Sequence, residues 1–286
     1  MTVSARRVIG RRLPISILLA GAILGIIIVA ALLAPVISPA DPFRQTLLMR
    51  LKPPGFTAAS GQFYLFGTDE LGRDVFSRVL YGIRASLVIA ILSVTVSTLI
   101  GVSLGMIAAW RRGWTEIVIM RFVDMMLSIP AILLAVLTVA VLGPGFVKLV
   151  LVLGLTRWPR YTRVAYAQTL QVANLPYIKA AELGGASSVR ILLRHVLPNI
   201  AGPLLVVITV EFGLMILFEA GLSFLGLGIQ PPSPSLGSMM SAGRTFLERG
   251  WWITLVPGAC LFMVVLSINL LGDWLRDRLD PRFQTR

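Results

Sequence analysis

Six stretches of this chain are long and apolar enough to cross a lipid bilayer, and that leaves few folds open to it. A hydrocarbon core needs about 20 consecutive, mostly apolar residues per helix. Such runs fall at roughly Ile15–Ile37, Ala85–Trp110, Ile117–Leu142, Phe146–Ala167, Asn199–Phe218 and Trp252–Leu275. With no water in that core, each backbone N–H and C=O must be paired inside its own segment. The expectation is therefore an all-α integral membrane protein with six transmembrane helices. Composition agrees: 14% of the residues are charged, against roughly 25% in an average soluble domain. The fourth run is the weakest, because Arg157, Trp158, Pro159 and Arg160 interrupt it. Lipid-facing arginine is expensive, so that end is expected at the interface or inside the bundle. The first run is too long for the apolar stretch of a signal peptide and lacks a good small-residue cleavage site, so a retained first span is expected.

The formal net charge is +13. A nucleic-acid partner would call for basic residues on one soluble face, whereas here they flank the apolar runs, as orientation in a membrane requires. No nucleic acid is expected, and lipid is the expected surround. With the N-terminus inside and the spans alternating, 17 of the 26 basic residues fall on inner segments, which favours both termini in the cytoplasm. The same assignment puts Lys179–Pro198 inside. It leaves two long outer segments, Ser38–Arg84 and Gly221–Gly250, whose prolines and glycines argue for turns and re-entrant pieces rather than a further span. The single cysteine, Cys260, lies in an apolar run and reads as a small packing residue.

The polar stretch Lys179–Pro198 is the most informative part of the chain. Asn174 followed by Pro176 predicts a helix start, with Tyr177–Leu183 helical and Gly184-Gly185 as the stop. Ser187 or Ser188 could cap a second short helix over Val189–Val196, ended by Pro198. The result would be a helix–turn–helix lying across the membrane surface. Ala180 and Ala181 present almost no side chain, so a groove could close over them, and Gly185 permits a positive φ. The residues alone serve equally well for an amphipathic hairpin held to anionic lipid by Lys179, Arg190 and Arg194. The register adds more. It resembles the signature loop of the permease subunits of ATP-binding-cassette importers, which reads Glu-Ala-Ala, three residues, Gly, nine residues, Ile-x-Leu-Pro. Ala180, Ala181, Gly185, Leu197 and Pro198 match it. Lys179 stands where the family often has Glu and His195 where it often has Ile, so neither inherits a role. His195, the sole histidine, reads as packing or solvated. The resemblance implies that this loop docks into a groove on an ATPase subunit.

Two further stretches narrow the resemblance. Gly67–Arg78, with Gly67, Thr68, Asp69, Gly72, Arg73, Asp74, Ser77 and Arg78 in register, is similar to the signature of the dipeptide, oligopeptide and nickel permease branch. Locally, Thr68 or Asp69 is expected to cap an interfacial helix whose apolar face is Val75, Phe76, Val79, Leu80 and Ile83. Ala220–Gly237 and Asn269–Arg282 resemble the C-type subunit, and the likeness runs from about residue 15 to 283. It implies a type-I importer permease fold with an extra N-terminal span. Residues 1–38 would hold the cytoplasmic N-terminus and first span, 39–84 an extracytoplasmic segment, and 85–286 the core, with the coupling loop at about 171–198. It further implies a bacterial inner-membrane importer of dipeptides or oligopeptides. The partners would be a homologous second permease, two ATPases and an extracytoplasmic substrate-binding protein. No cofactor would bind this chain, ATP and Mg being used by the ATPases.

Polar residues inside the runs are functional candidates by default. Asp124 and Asp273 lie near the cytoplasmic ends, where Arg121 and Arg276 could neutralise them. Glu219 and Asn269 also fall in or near apolar runs. Glu211, towards the middle of the fifth run, is the best candidate for lining the pathway or bridging to the second permease. Gly101, Gly105 and Ala109 form a ladder of small residues, which lets helices approach closely and could sit at a subunit seam. A phosphate-binding G-x-x-x-x-G-K-[ST] loop and a G-x-S-x-G elbow are missing from the sequence, which argues against an ATPase or a serine hydrolase. The competing expectation is a stand-alone, proton-coupled secondary transporter using an acid such as Glu211, and it leaves the Lys179–Pro198 loop unexplained.

Overall fold

The computed structural model describes residues 14–279, and its regular structure is almost wholly helical. Of the basic residues counted on inner segments, Arg6, Arg7, Arg11, Arg12, Arg282 and Arg286 lie outside the described residues. Helix α1, Ile15–Leu32, is followed by the short α2, Ala34–Ile37. A folded segment then carries a two-residue β-hairpin, β1 (Phe56–Thr57) and β2 (Phe63–Tyr64), paired antiparallel. Helix α3 spans Val75–Arg111, α4 Gly113–Ser128, α5 Ala131–Leu142 and α6 Phe146–Ala173. Next come the short α7, Pro176–Leu183, and α8, Ser188–Ile191. A wide π turn, Leu192–Val196, joins α8 to α9, Leu197–Phe224. Helices α10 (Leu236–Gly243) and α11 (Leu247–Gly250) precede α12, Trp252–Leu279.

Four of these stretches are long and apolar enough to span: α1, α3, the continuous Ser188–Phe224 helix and α12. The α4–α5 pair makes a fifth if taken together, but it is bent by 87°. The third expected span, Ile117–Leu142, is therefore not one straight helix. Ile129 precedes Pro130 and sits in an extended conformation (φ −94°, ψ 128°), because the proline ring clashes with a helical predecessor. Helix α6 is as long as α12 but carries Lys148, Arg157, Arg160 and Arg163. The six expected runs fall on α1, α3, α4–α5, α6, α9 and α12, of which four, or five with the bent pair, have the length and apolar character of a span.

Helix α3 also differs from expectation. It starts ten residues before Ala85 and runs unbroken for 37 residues, about 55 Å. The predicted interfacial helix and second span are one element. Its N-cap is neither Thr68 nor Asp69 but Asp74, whose carboxylate accepts from the Ser77 backbone N–H at 2.8 Å.

The centre of the molecule is α3 laid along α6. The small-residue ladder is the cause: a Cβ on Gly101 would stand 2.5 Å from the Trp158 carbonyl oxygen, and one on Gly105 2.5 Å from that of Thr162. Hydroxyls bridge the same seam, with Ser93 and Ser97 donating to the carbonyls of Val150 and Gly154. Gly101 and Gly105 thus build an internal seam rather than one between subunits. Helices α9 and α12 close the bundle, α10 wedges between them, and α1 lies against α12 with most of its apolar surface exposed.

Candidate functional site

Three clusters of polar residues stand out, and the first is the loop between α6 and α9. Helix α7 starts at Pro176, with Leu175 rather than Asn174 at its N-cap and no side-chain cap bond; Asn174 instead closes α6. At its other end the Gly185 N–H donates to Glu182 O (3.0 Å) and the Ala186 N–H to Ala181 O (3.1 Å). Gly185 sits at φ +81°. This is a Schellman stop, in which the left-handed residue is favoured as glycine. Its companion apolar contact is present, since Ala181 and Ala186 both pack on the small core of Val102, Ala165, Ile178, Ile191, Val196 and Ile200. Ser187 then caps α8, accepting from the Arg190 N–H.

Pro198 does not end the second helix. It lacks an N–H, and the ladder accommodates that gap in the π turn of Leu192–Val196 immediately before it; the helix then continues to Phe224. The loop is thus pinned by buried Ile178 and Ile191 and presents Lys179, Ala180, Glu182 and Gly185 outward. Leu183 is 90% exposed, with Val189, Leu193 and Tyr177 also largely open. Exposed apolar side chains gathered on one short polar loop mark an interaction surface. Leu197 is half-buried and Pro198 exposed at the root of the loop. Sequence reasoning missed Leu183, although its place directly before the glycine stop was visible.

The second cluster folds the segment before α3. Asp69 accepts from the backbone N–H groups of Leu71 and Arg73 (2.9 Å each) and pairs with the Arg73 Nε at 2.6 Å. Arg73 also reaches Glu70 at 2.9 Å. Arg78 lies 3.4 Å from the same Asp69 carboxylate and donates to the Pro42 carbonyl at 3.1 Å. The Thr68 carbonyl accepts from the Trp252 indole N–H at 3.0 Å, tying this segment to α12. Gly67 packs where a Cβ would meet the Lys52 carbonyl, and Gly72 where one would stand 1.9 Å from the Thr46 carbonyl. Thr68, Asp69, Arg73, Asp74, Ser77 and Arg78 are all buried. Burial holds the Asp74 carboxyl above its usual range, against the lowering effect of its bonds to Ser77; its Oδ1 is buried without a partner among the described residues.

The third cluster lies midway along α6 and α9. Glu211 is 1% exposed, and its carboxylate accepts from Arg157 Nε at Oε2 (2.8 Å) and from Arg157 Nη2 at Oε1 (2.9 Å) in a two-pronged pair. Arg160 reaches the same carboxylate at 3.3 Å. Arg157 stacks over Phe218, 5.1 Å from the ring centroid. Such a fork is the geometry in which guanidinium binds carboxylate most strongly. Of the two expected places for the fourth run's arginines, interface or bundle interior, Arg157 takes the interior. Its partnership with Glu211, 54 residues away, had no local signal.

Asp124 pairs with Arg163 at 2.5 Å rather than with Arg121, because α4 lies on α6 with Phe122 stacked on Trp158. Asp273 is exposed and has no ion pair among the described residues. Glu219 is fully buried and accepts from Ser86 (2.5 Å) and Ser223 (2.7 Å). No group of three or more metal-ligating side chains occurs among the described residues.

Comparison with known proteins agrees with this architecture. Residues 101–285 match the family model described as binding-protein-dependent transport system inner membrane component, so α1 and the folded segment before α3 precede the matched stretch. The chain is 42% identical over 259 residues to the di/tripeptide transport system permease protein DppC of Pseudomonas aeruginosa, covering 91% of this chain and 86% of that one. It is 36% identical over 269 residues to the dipeptide transport system permease protein DppC of Haemophilus influenzae, covering 92% and 91%. The glutathione transport system permease protein GsiD of Pectobacterium atrosepticum is 40% identical over 219 residues, covering 77% and 73%. Among solved structures, the inward-facing MetNI methionine ABC transporter superposes with a TM-score of 0.55 at 19% identity, covering 71% of this chain and 96% of that one.

Proposed function

Because the chain belongs to the family of binding-protein-dependent transport system inner membrane components, we propose that it forms one half of the pathway of an ATP-driven importer of dipeptides or oligopeptides. The names of its relatives support that substrate class, since two of them are dipeptide or di/tripeptide permeases and a third carries glutathione, itself a peptide. As a permease subunit of this family the chain is not an ATPase; hydrolysis belongs to separate subunits, and a substrate-binding protein delivers the cargo. A homologous second permease completes the pathway in our reading, because six helices of one copy would leave polar wall against lipid. ATP and Mg would act on the two ATPases, and no cofactor is assigned to this chain. Both termini and the Lys179–Pro198 loop would face the cytoplasm of a bacterial inner membrane, as the distribution of basic residues favours.

The observation that carries the coupling role is the Schellman stop at Gly185 beside the exposed Leu183. It gives a small, firmly shaped turn at the root of a helix that runs on through Glu211. Ala180 leaves its outer surface low enough for an ATPase groove to close over, while Ala181 packs the turn onto the core beneath, with Lys179 at the rim and Leu197 and Pro198 fixing the junction to α9. Nothing lies within 4 Å of a Cβ built on Gly185, so a large side chain there would stand in the partner's space and meet none of the chain's own atoms, at a strain of about 1 kcal/mol for a side chain at its positive φ. Gly185→Trp should fold, yet should fail to co-purify with the ATPase and should abolish ATP-dependent uptake in proteoliposomes holding all subunits. Retention of both would refute the docking role.

A further inference from the structure

The mid-helix cluster carries more positive than negative charge. Arg157 and Glu211 neutralise each other in their two-pronged bond, while Arg160 shares that carboxylate only at 3.3 Å and keeps 55% of its side chain open. Asp124 of α4, which meets the next turn of α6, is already paired with Arg163. Thr156, Arg160 and Arg163 follow at i, i+4 and i+7, so they share one face of α6. Arg160 lies at the middle of a 28-residue helix, about 20 Å from either end, which puts it within the depth of a hydrocarbon core. A guanidinium at that depth faces a bundle interior or water, not lipid.

On the reading that this chain walls half of a peptide pathway, we propose that Arg160 binds the C-terminal carboxylate of the peptide in transit. A peptide brings one free carboxylate and one ammonium. The α6 face offers a partner for the carboxylate in the under-neutralised Arg160, whereas the acid beside its next turn, Asp124 of α4, is held by Arg163. Arg160 retains donors beyond the one spent on Glu211, enough for a forked bond to a carboxylate. Glu211 and Arg157 hold it in place and do not touch the cargo.

The test is transport by the whole complex, purified from membranes with its own subunits, reconstituted, and supplied with saturating dialanine or its C-terminal amide so that delivery does not limit the rate. The wild type should carry the free acid about tenfold faster than the amide, the loss expected for one charge-assisted bond. Arg160→Gln should lower the acid to the amide rate and leave the amide unaffected; Arg160→Lys should recover part of the preference. An acid-to-amide ratio unchanged by Arg160→Gln would overturn the proposal. So would an Arg160→Gln complex that loses the second permease while Arg160→Lys keeps it, since Arg160 would then face a partner's acid. If the wild type moved neither compound under ATP, the peptide-importer reading itself would fall, and this site with it.

Discussion

At the scale of single residues, the buried Arg157–Glu211 pair has the clearest consequence. Removing one partner leaves an uncompensated charge out of water, which typically costs about 3–5 kcal/mol. Glu211→Gln and Arg157→Gln should each lower the thermal unfolding midpoint of the purified complex sharply, and the double variant should recover much of the loss. A double variant no better than the singles would mean that the two residues do not act as a pair. Asp74 makes the opposite case, because burial works against its ionised form. With a folded-state pKa above the unfolded one, its contribution is fully present at acid pH and declines as pH rises through the raised folded value. Asp74→Asn should therefore keep the cap and flatten this part of the pH dependence, whereas Asp74→Ala should lose about 1 kcal/mol of cap stability. Thermal melts from acid to neutral pH separate the two. The sequence pointed to a capped helix here but not to the residue that caps it. Thr68 and Asp69 have the right chemistry, yet contacts to Met49, Lys52, Arg73 and Arg78 claim them first.

At the scale of elements, what was legible in the sequence is what each segment decides by itself. The apolar runs satisfy their own backbones, and the glycine stop at Gly185 needs only its neighbours. The bend between α4 and α5 was half legible: Pro130 was in view, but apolar residues on both sides disguised a break as a span. Pairings across the bundle, such as Asp124 with Arg163, depend on which faces meet and leave no mark in local spacing. The α3–α6 seam shows how much such a meeting demands. Gly101→Leu or Gly105→Val would drive side-chain atoms into the α6 backbone, where neighbours in a close-packed interior cannot shift far. Either substitution should sharply reduce the amount of folded complex recovered from membranes, measured by size-exclusion chromatography. Ala109→Gly should be tolerated by the same measure.

At the scale of the whole molecule, orientation can be tested directly. In a Cys260→Ala background, Leu183→Cys should react with an impermeant thiol reagent only from the cytoplasmic side, and Gln62→Cys only from the outside. Labelling of both from one side would contradict the assigned topology. From Ser188 to Phe224 the chain is one uninterrupted rod of 37 residues, and Glu211 lies 23 residues along it, about 35 Å from the loop. A rod of that length acts as a lever. Tilting it by about 10° around its loop end would carry Glu211 sideways by about 6 Å, and Arg157 would have to follow or let go. A small change of angle at the Lys179–Pro198 loop thus becomes a displacement at mid-depth as large as a peptide side chain.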